Sequence, residues 1–303
     1  DNGVAHIMEH SVLNGSKNFP VKSPFEVLLK GSLSTFINAF TSKDKTVYPC
    51  ASMNEKDYFN LMHVYLDAVF NPLLYTDTRI LKQEGWHHEL QDKNSPVVYK
   101  GVVYNEMKGA FSAPTRTLRY EVFKTLFPDI TYGFESGGHP QSIPTLTQEE
   151  FTSFHKKYYH PSNSLIMLYG DADLSKELEF INREYLSNYV ADSNPVDIPI
   201  QKPFDSQKNI SASYPVLDDA PVEGQTYLNL SFVLNGNGYD PALNMALDVL
   251  GEVLVNQESA PIRLALQQAG IGQDVYVSTE YYNQLLFSII ATNANSADKD
   301  KFR

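Results

Sequence analysis

Five residues near the start of the chain, His6-Ile7-Met8-Glu9-His10, bring two imidazoles and a carboxylate onto one turn if the segment is helical. Residues three and four apart on a helix are neighbours, so His6 and His10 can grip one ion while Glu9 projects into the same space. Neutral imidazoles bind zinc at about 2.0 to 2.1 Å, and a free carboxylate beside such an ion can move a proton. With eight histidines in 303 residues, the pattern H-x-x-E-H arises by accident in about one chain in a hundred. It therefore needs support from the rest of the sequence, the alternative being an amphipathic helix with two solvated histidines.

A chain of 303 residues suits two domains of roughly 150 residues each. Its 42% hydrophobic and 12% aromatic content can fill two cores. The net charge is −12 and no Lys/Arg stripe is present, which argues against nucleic acid as a partner and favours cationic ligands such as basic peptides. No stretch approaches the roughly 18 apolar residues of a membrane span, so no membrane partner is expected. The single cysteine, Cys50, excludes an intrachain disulfide and reads as a buried, inert thiol. It agrees with a reducing compartment, the cytoplasm, with a mitochondrial or other organelle lumen as the alternative. Asp1 opens just before the histidine motif and Arg303 follows strand-like sequence with no closing element, so both ends read as cut and the lack of a targeting segment says little.

The order of elements points to an α+β fold of two similar domains, each an antiparallel sheet packed with helices. Asp1 or Asn2 can cap a helix running through the motif to about Leu13. Ser23 can cap a second helix, with Pro24 at its first position and Gly31 just past its end. Thr35–Thr41 and Thr46–Ser52 read as a hairpin around a polar turn. Glu55–Phe70 has helical spacing, and Pro72 ends it. Gly101–Gly109, around Glu106, reads as helical, Leu165–Tyr169 as a short strand and Ser175–Tyr189 as a helix. Residues 1–193 form the expected first domain, 194–208 a proline-rich linker and 209–303 a second, incomplete domain. There the order recurs: a strand at Leu228–Val233, a helix at Ala242–Val255, a helix begun by Pro261, and strands at Val275–Thr279 and Leu285–Thr292. The helix before Pro261 has no histidine, so the second domain is expected to be metal-free.

Four segments in one order, GVAHIMEHSVLNGS, SPFEVLLKGSL, INAFTSKDKTVY and GVVYNEMKGAFS, resemble the inverted-motif zinc metallopeptidases of the pitrilysin and insulinase family, nearest the presequence protease and falcilysin branch. The resemblance covers most of residues 1–170 and its order continues through the second domain. It implies that His6, His10 and Glu106 are Zn2+ ligands, that Glu9 is the general base and that the fourth metal position is left to water. Three protein ligands with an open position is the catalytic zinc pattern. The resemblance also implies that Asn38-Ala39-Phe40 belongs to an edge strand that binds peptide substrates by backbone hydrogen bonds. Glu84 is a possible carboxylate partner for a ligating imidazole.

The function so implied is a zinc-dependent endopeptidase acting on short or unfolded peptides; the alternative is a non-catalytic structural homologue or an inactive fragment. Members of the family are much longer, two halves closing on a chamber, so the missing C-terminal half of the same polypeptide is an expected partner. His87 and His88 are adjacent and do not share a helix face, while His63, His139, His155 and His160 stand alone and read as structural or solvated.

Overall fold

The computed structural model describes residues 1–192, 196–219, 221–234 and 240–303. The chain divides into two units, residues 1–111 with 134–197 and residues 112–133 with 198–303. This differs from a single cut after residue 193, because residues 112–133 leave the first unit and join the second. Asn194 and Pro195, the first residues of the expected linker, lie outside the described residues; from 196 to 216 the chain has no helix or strand.

In the first unit, helix α1 (Val4–Val12) buries Ile7, Met8 and Val12 completely, which turns His6 and His10 to the opposite side. Neither Asp1 nor Asn2 occupies the cap position; Gly3 does, at φ 70, and the Asn2 side chain accepts from the Val4 N–H. Helix α2 (Pro24–Gly31) starts with its proline, but Gly31 is its last residue, and Ser23 gives no side-chain cap. The expected hairpin forms as β1 (Ser34–Ile37), β2 (Phe40–Thr41), β3 (Thr46–Val47) and β4 (Cys50–Ser52). Ile37 opposite Cys50 and Phe40 opposite Val47 share one register, so this is one hairpin interrupted at Asn38-Ala39 and at Pro49, which has no N–H to donate. Burial and nearby Asp57 push the half-buried Cys50 thiol up to about 11, in line with an inert role.

Helix α3 (Glu55–Phe70) matches its expected span and is capped by the Asn54 side chain. Its buried Asp67 accepts from the Asn18 N–H at 2.7 Å and from the side chains of Asn18 and Asn71, tying the loop after α1 to the end of α3. After α4 (Arg79–Glu84), β5 (His87–Glu89) and β6 (Val98–Lys100), α5 (Val102–Ala110) buries Val103 and Met107 against α1 in the same core. Helix α6 (Pro114–Leu126) belongs to the second unit; α7 (Gln148–Tyr158) and α8 (Leu174–Ile181) belong to the first. A widened turn of π-helix, Asn182–Leu186, continues α8. Leu165–Tyr169 forms no strand: Leu165, Met167 and Tyr169 are each more than 80% exposed and the segment pairs with no described strand. Its apolar composition met the pattern for a strand, but a strand needs a neighbour to take its backbone hydrogen bonds.

The second unit holds one antiparallel sheet in the order β7 (Thr226–Leu234), β9 (Leu285–Ala294), β8 (Asp274–Tyr281). Between β7 and β8 run α9 (Pro241–Gly251) and α10 (Pro261–Gln268), the second begun by its proline as expected. One face of central β9 packs Leu285, Phe287 and Ala291 with side chains of α9, α10 and the turn before α10. The other face sets Leu286 among Phe123, Phe127 and Tyr132 of α6 and the loop after it. Covered on both faces, β9 is buried along most of its length and carries apolar residues on both sides, broken by Ser288, rather than alternating strictly.

One buried group makes the first unit's stability depend on pH. His155 accepts the Tyr75 hydroxyl at Nδ1 (2.7 Å) and donates from Nε2 to the Val69 carbonyl (2.9 Å), which requires the neutral ring. Burial pushes it down to about 4 from 6.5. The unfolded chain therefore takes up this proton first, and stability is intact above pH 6.5 and lost as pH falls towards 4. Glutamine can make the same two bonds without titrating. His155→Gln is expected to lose about 2 kcal/mol less unfolding free energy than the wild type between pH 7.5 and pH 5, read from denaturant titrations; parallel losses would refute this.

Candidate metal centre

The side of α1 away from the core carries His6, Glu9 and His10, and three segments distant in sequence close around it. The first follows α6 in sequence. Gly137 presents its carbonyl to His6 Nδ1 at 3.1 Å, and the buried Glu135 accepts the Gly137 N–H at 3.2 Å. This loop passes so near the start of α1 that a Cβ on Gly138 (φ 95) would lie 2.8 Å from Gly3 Cα. The second segment is the end of α4, where buried Glu84 places Oε2 3.4 Å from His10 Nδ1. Third is α5, whose Glu106 holds Oε2 3.8 Å from Nε2 of both His6 and His10. The last two segments meet at glycines: Gly101 (φ 157) starts α5, and a Cβ there would lie 2.1 Å from the Gly85 carbonyl oxygen that follows α4.

These partners define the state of both imidazoles. A carbonyl or carboxylate oxygen can only accept, so each Nδ1 carries the proton and each Nε2 lone pair faces Glu106. His10 is shifted up: burial opposes its charged form, but the Glu84 hydrogen bond and the charges of Glu9, Glu84 and Glu106 outweigh burial. Ligand atoms of His6, His10 and Glu106 all lie within 4.8 Å of one another, the one such group among the described residues. Donors of a tetrahedral ion with bonds of about 2.0 to 2.1 Å stand about 3.4 Å apart. The group fits zinc after small side-chain adjustments, and its two nitrogens and one oxygen are zinc's preferred donor types.

Glu9 is not in this group. It is 7% exposed, and its Oε2 accepts the Thr41 hydroxyl in a short hydrogen bond. The sequence reading had no role for the Thr41 side chain; the signal was its place in the quoted segment INAFTSKDKTVY. Of the expected peptide-binding residues, Phe40 lies in β2, whereas Asn38 and Ala39 fall in the break between β1 and β2. Asn38 donates its N–H to the Pro49 carbonyl and accepts at its own carbonyl from Tyr65. The other histidines have different partners: His87 meets the Lys82 carbonyl, His88 packs on Trp86 and Tyr99, His63 on Phe19, Phe180 and Tyr185, His139 on Phe111, and His160 accepts the Ser162 N–H.

Comparison with known proteins gives this geometry a family. Residues 1–109 match the family model of insulinase (peptidase family M16), and residues 145–302 match that of the peptidase M16 inactive domain. Protein HypA of Clostridium perfringens is 48% identical over 99% of the chain, and presequence protease 1 of Arabidopsis thaliana, chloroplastic/mitochondrial, is 44% identical over 94%. The mitochondrial presequence protease of Xenopus laevis is 39% identical over 99%. The chain spans 31%, 26% and 30% of these three relatives. Among solved structures, a protease from Helicobacter pylori aligns with a TM-score of 0.62 at 18% identity, covering 97% of this chain and 65% of that one. Pitrilysin aligns at 0.59 and 18% identity, covering 99% and 30%. These two likenesses show the same fold, and with the two family models and the three relatives they establish that the chain belongs to the insulinase family of peptidases, M16.

Proposed function

We propose that this chain carries the catalytic centre of a zinc-dependent endopeptidase that cleaves short or unfolded peptides. The observation behind this reading is the convergence of His6 Nε2, His10 Nε2 and Glu106 Oε2 beside a buried carboxylate, Glu9, that lies outside the group. Three protein donors leave a fourth position, which distinguishes a catalytic zinc site from a closed structural one. When bound, zinc supplies polarisation of the scissile carbonyl and lowers the pKa of water to about 7. The chain's own residues do the rest. Glu9 takes the attacking water's proton at Oε1, since Oε2 is held by Thr41, and returns it to the leaving amide nitrogen. Glu84 and the Gly137 carbonyl keep the imidazoles in the ligating tautomer.

Peptide binding is assigned to the β2 edge. Ser42 donates its N–H to the Lys45 carbonyl, so the next pair inward, Thr41 and Thr46, is a non-hydrogen-bonded pair and the backbone groups of Thr41 point away from β3. Ala39 is the other residue of this register whose backbone faces away from β3, so within Asn38-Ala39-Phe40-Thr41 these two offer the edge on which an extended peptide adds as a strand, and such binding asks little of the peptide's side chains. The net charge of −12 favours cationic peptides. An organelle lumen is the compartment supported by the names of the chloroplastic and mitochondrial relatives.

A specific observation also favours the fragment reading: the chain spans under a third of the relatives' length. Residues 1–303 alone bind zinc on this view, and the rest of the polypeptide completes the peptide site. In the full-length protein, Glu9→Gln is expected to lower kcat by about 10²- to 10⁴-fold with one zinc per chain retained, measured by peptide hydrolysis and metal analysis. Wild-type cleavage by this variant would end the proposal. Glu84→Gln is expected to weaken zinc binding by about 10- to 100-fold in a competing-chelator titration; unchanged affinity would remove Glu84 from the site.

A further inference from the structure

The turn that joins β2 to β3 carries two lysines with opposite fates. The Lys45 side chain is 67% exposed, as a hairpin tip leads one to expect, whereas Lys43 is 7% exposed. Burying an ammonium is costly unless its donors are used. Lys43 Nζ donates to the Phe134 carbonyl at 2.6 Å, a short charge-assisted bond. The turn is braced by its own bonds, from the Ser42 N–H to the Lys45 carbonyl at 2.8 Å and from the Ser42 hydroxyl to Asp44 at 3.1 Å, so Lys43 projects from a fixed frame. Its target is where the chain re-enters the first unit after residues 112–133. The Phe134 side chain is 54% exposed and gives that backbone no anchor. Three residues on, Gly137 presents its carbonyl to His6 Nδ1. Asp1 holds the loop from the side of α1, accepting the Glu135 N–H at 2.7 Å and the His139 N–H at 2.8 Å, but that tie runs through the residues ahead of the helix. Lys43 holds it from the side of the hairpin.

We infer that Lys43 is a positioning residue for the metal centre: by gripping the Phe134 carbonyl it fixes where the Phe134–Gly138 loop passes α1, and so holds the His6 ring with Nδ1 protonated and Nε2 turned to the metal position. The inference rests on the zinc reading above. An imidazole ligates well when the acceptor at its other nitrogen sets its tautomer and orientation, and a carbonyl on a loose loop sets neither. One hairpin then holds two members of the motif. Thr41 meets Glu9 directly, and Lys43, two residues on, reaches His6 through the loop. The proposed peptide-binding strand, the base and one ligand are thereby referred to a single frame.

Competing-chelator titrations of zinc on the full-length protein test this, with Co2+ absorption as a second reading of ligand geometry and the Tm of the metal-free protein measured on every variant. Lys43→Met keeps the unbranched stem and removes the donor. It is expected to shift the Co2+ bands and to weaken zinc binding about 3- to 10-fold, less than the roughly 10- to 100-fold of a residue that touches the imidazole itself. Lys43→Arg keeps a charged donor and is expected to stay within about threefold of wild type. Asn18→Ala, which removes a bond to buried Asp67 elsewhere in the first unit, is the control for lost stability: a lower Tm with zinc affinity unchanged. At saturating zinc the peptide KM of Lys43→Met is expected within about twofold of wild type. Should Lys43→Met fail to fold, Lys43→Gln, whose shorter amide leaves the carbonyl unreached, is read the same way. Wild-type zinc affinity in the donor-free variant, equal losses with methionine and arginine, a loss matched by Asn18→Ala, or a change confined to KM would overturn the inference, the last assigning Lys43 to peptide binding. Failure of the zinc reading has a different signature: the wild-type protein itself would take up no zinc, whatever stood at position 43.

Discussion

Three carboxylates, those of Glu9, Glu84 and Glu106, crowd around two imidazoles on one side of α1, and the remainder of the first unit can be understood as what tolerates that crowding. Like charges a few ångströms apart in a partly buried site repel strongly. The molecule answers by giving each carboxylate a separate task. Glu84 faces one Nδ1, Glu9 faces the Thr41 hydroxyl, and Glu106, its side chain about half exposed, faces both Nε2 atoms. The raised pKa of His10 is the same surplus of negative charge seen from the imidazole. A dication at the proposed position offsets it far better than a proton on one ring, because it draws on both nitrogens and the Glu106 oxygen together.

The tolerance is built with backbone more than with side chains. Gly138 lets a loop pass close enough to the start of α1 for Gly137 to reach His6, and Gly101 lets α5 begin against Gly85, one residue beyond Glu84. Side chains at either contact would force the loop or helix outwards by ångströms, and metal ligation allows only tenths. The apolar side of α1 does the complementary work. Ile7, Met8 and Val12 are fully buried, each contributing about 1.5 to 3 kcal/mol, and they fix the rotation of the helix about its axis. The angular placement of His6, Glu9 and His10 is thus set by residues that never touch the site.

Much of this was legible in the sequence where local chemistry and tertiary need agree. Glu55–Phe70, the helices begun by Pro24 and Pro261, the helix around Glu106 and the β8–β9 pair lie where periodicity and proline placed them. The proximity of His6, His10 and Glu106 was legible only through resemblance, because 96 residues separate Glu106 from His10 and spacing over that distance carries no geometry. Other features needed a third dimension. Nothing local assigns α6 to the second unit: Phe123 and, just past the helix end, Phe127 form an apolar stripe that could cover either core. Leu165–Tyr169 has strand composition without a partner, and Gly3 took the cap position because the neighbouring loop leaves no room for a side chain. The Thr41 hydroxyl on Glu9 was hidden because it comes from β2, 32 positions away, and alone reads as an ordinary strand residue.

The proposed chemistry draws its groups from the first unit alone. Hydrolysis at the proposed centre needs positions held to fractions of an ångström, and the first unit supplies them by fixing every chemical group from its core side. Recognition through backbone hydrogen bonds at the proposed β2 edge would need an extended peptide, and a folded protein cannot offer one without unfolding. The second unit contributes no group to the His6, His10 and Glu106 cluster, and its sheet is covered on both faces around β9 by its own side chains. On the proposed reading, selection for unfolded chains comes at no cost to the active geometry, because the requirement falls on the substrate's backbone and not on the proposed ligands or on Glu9.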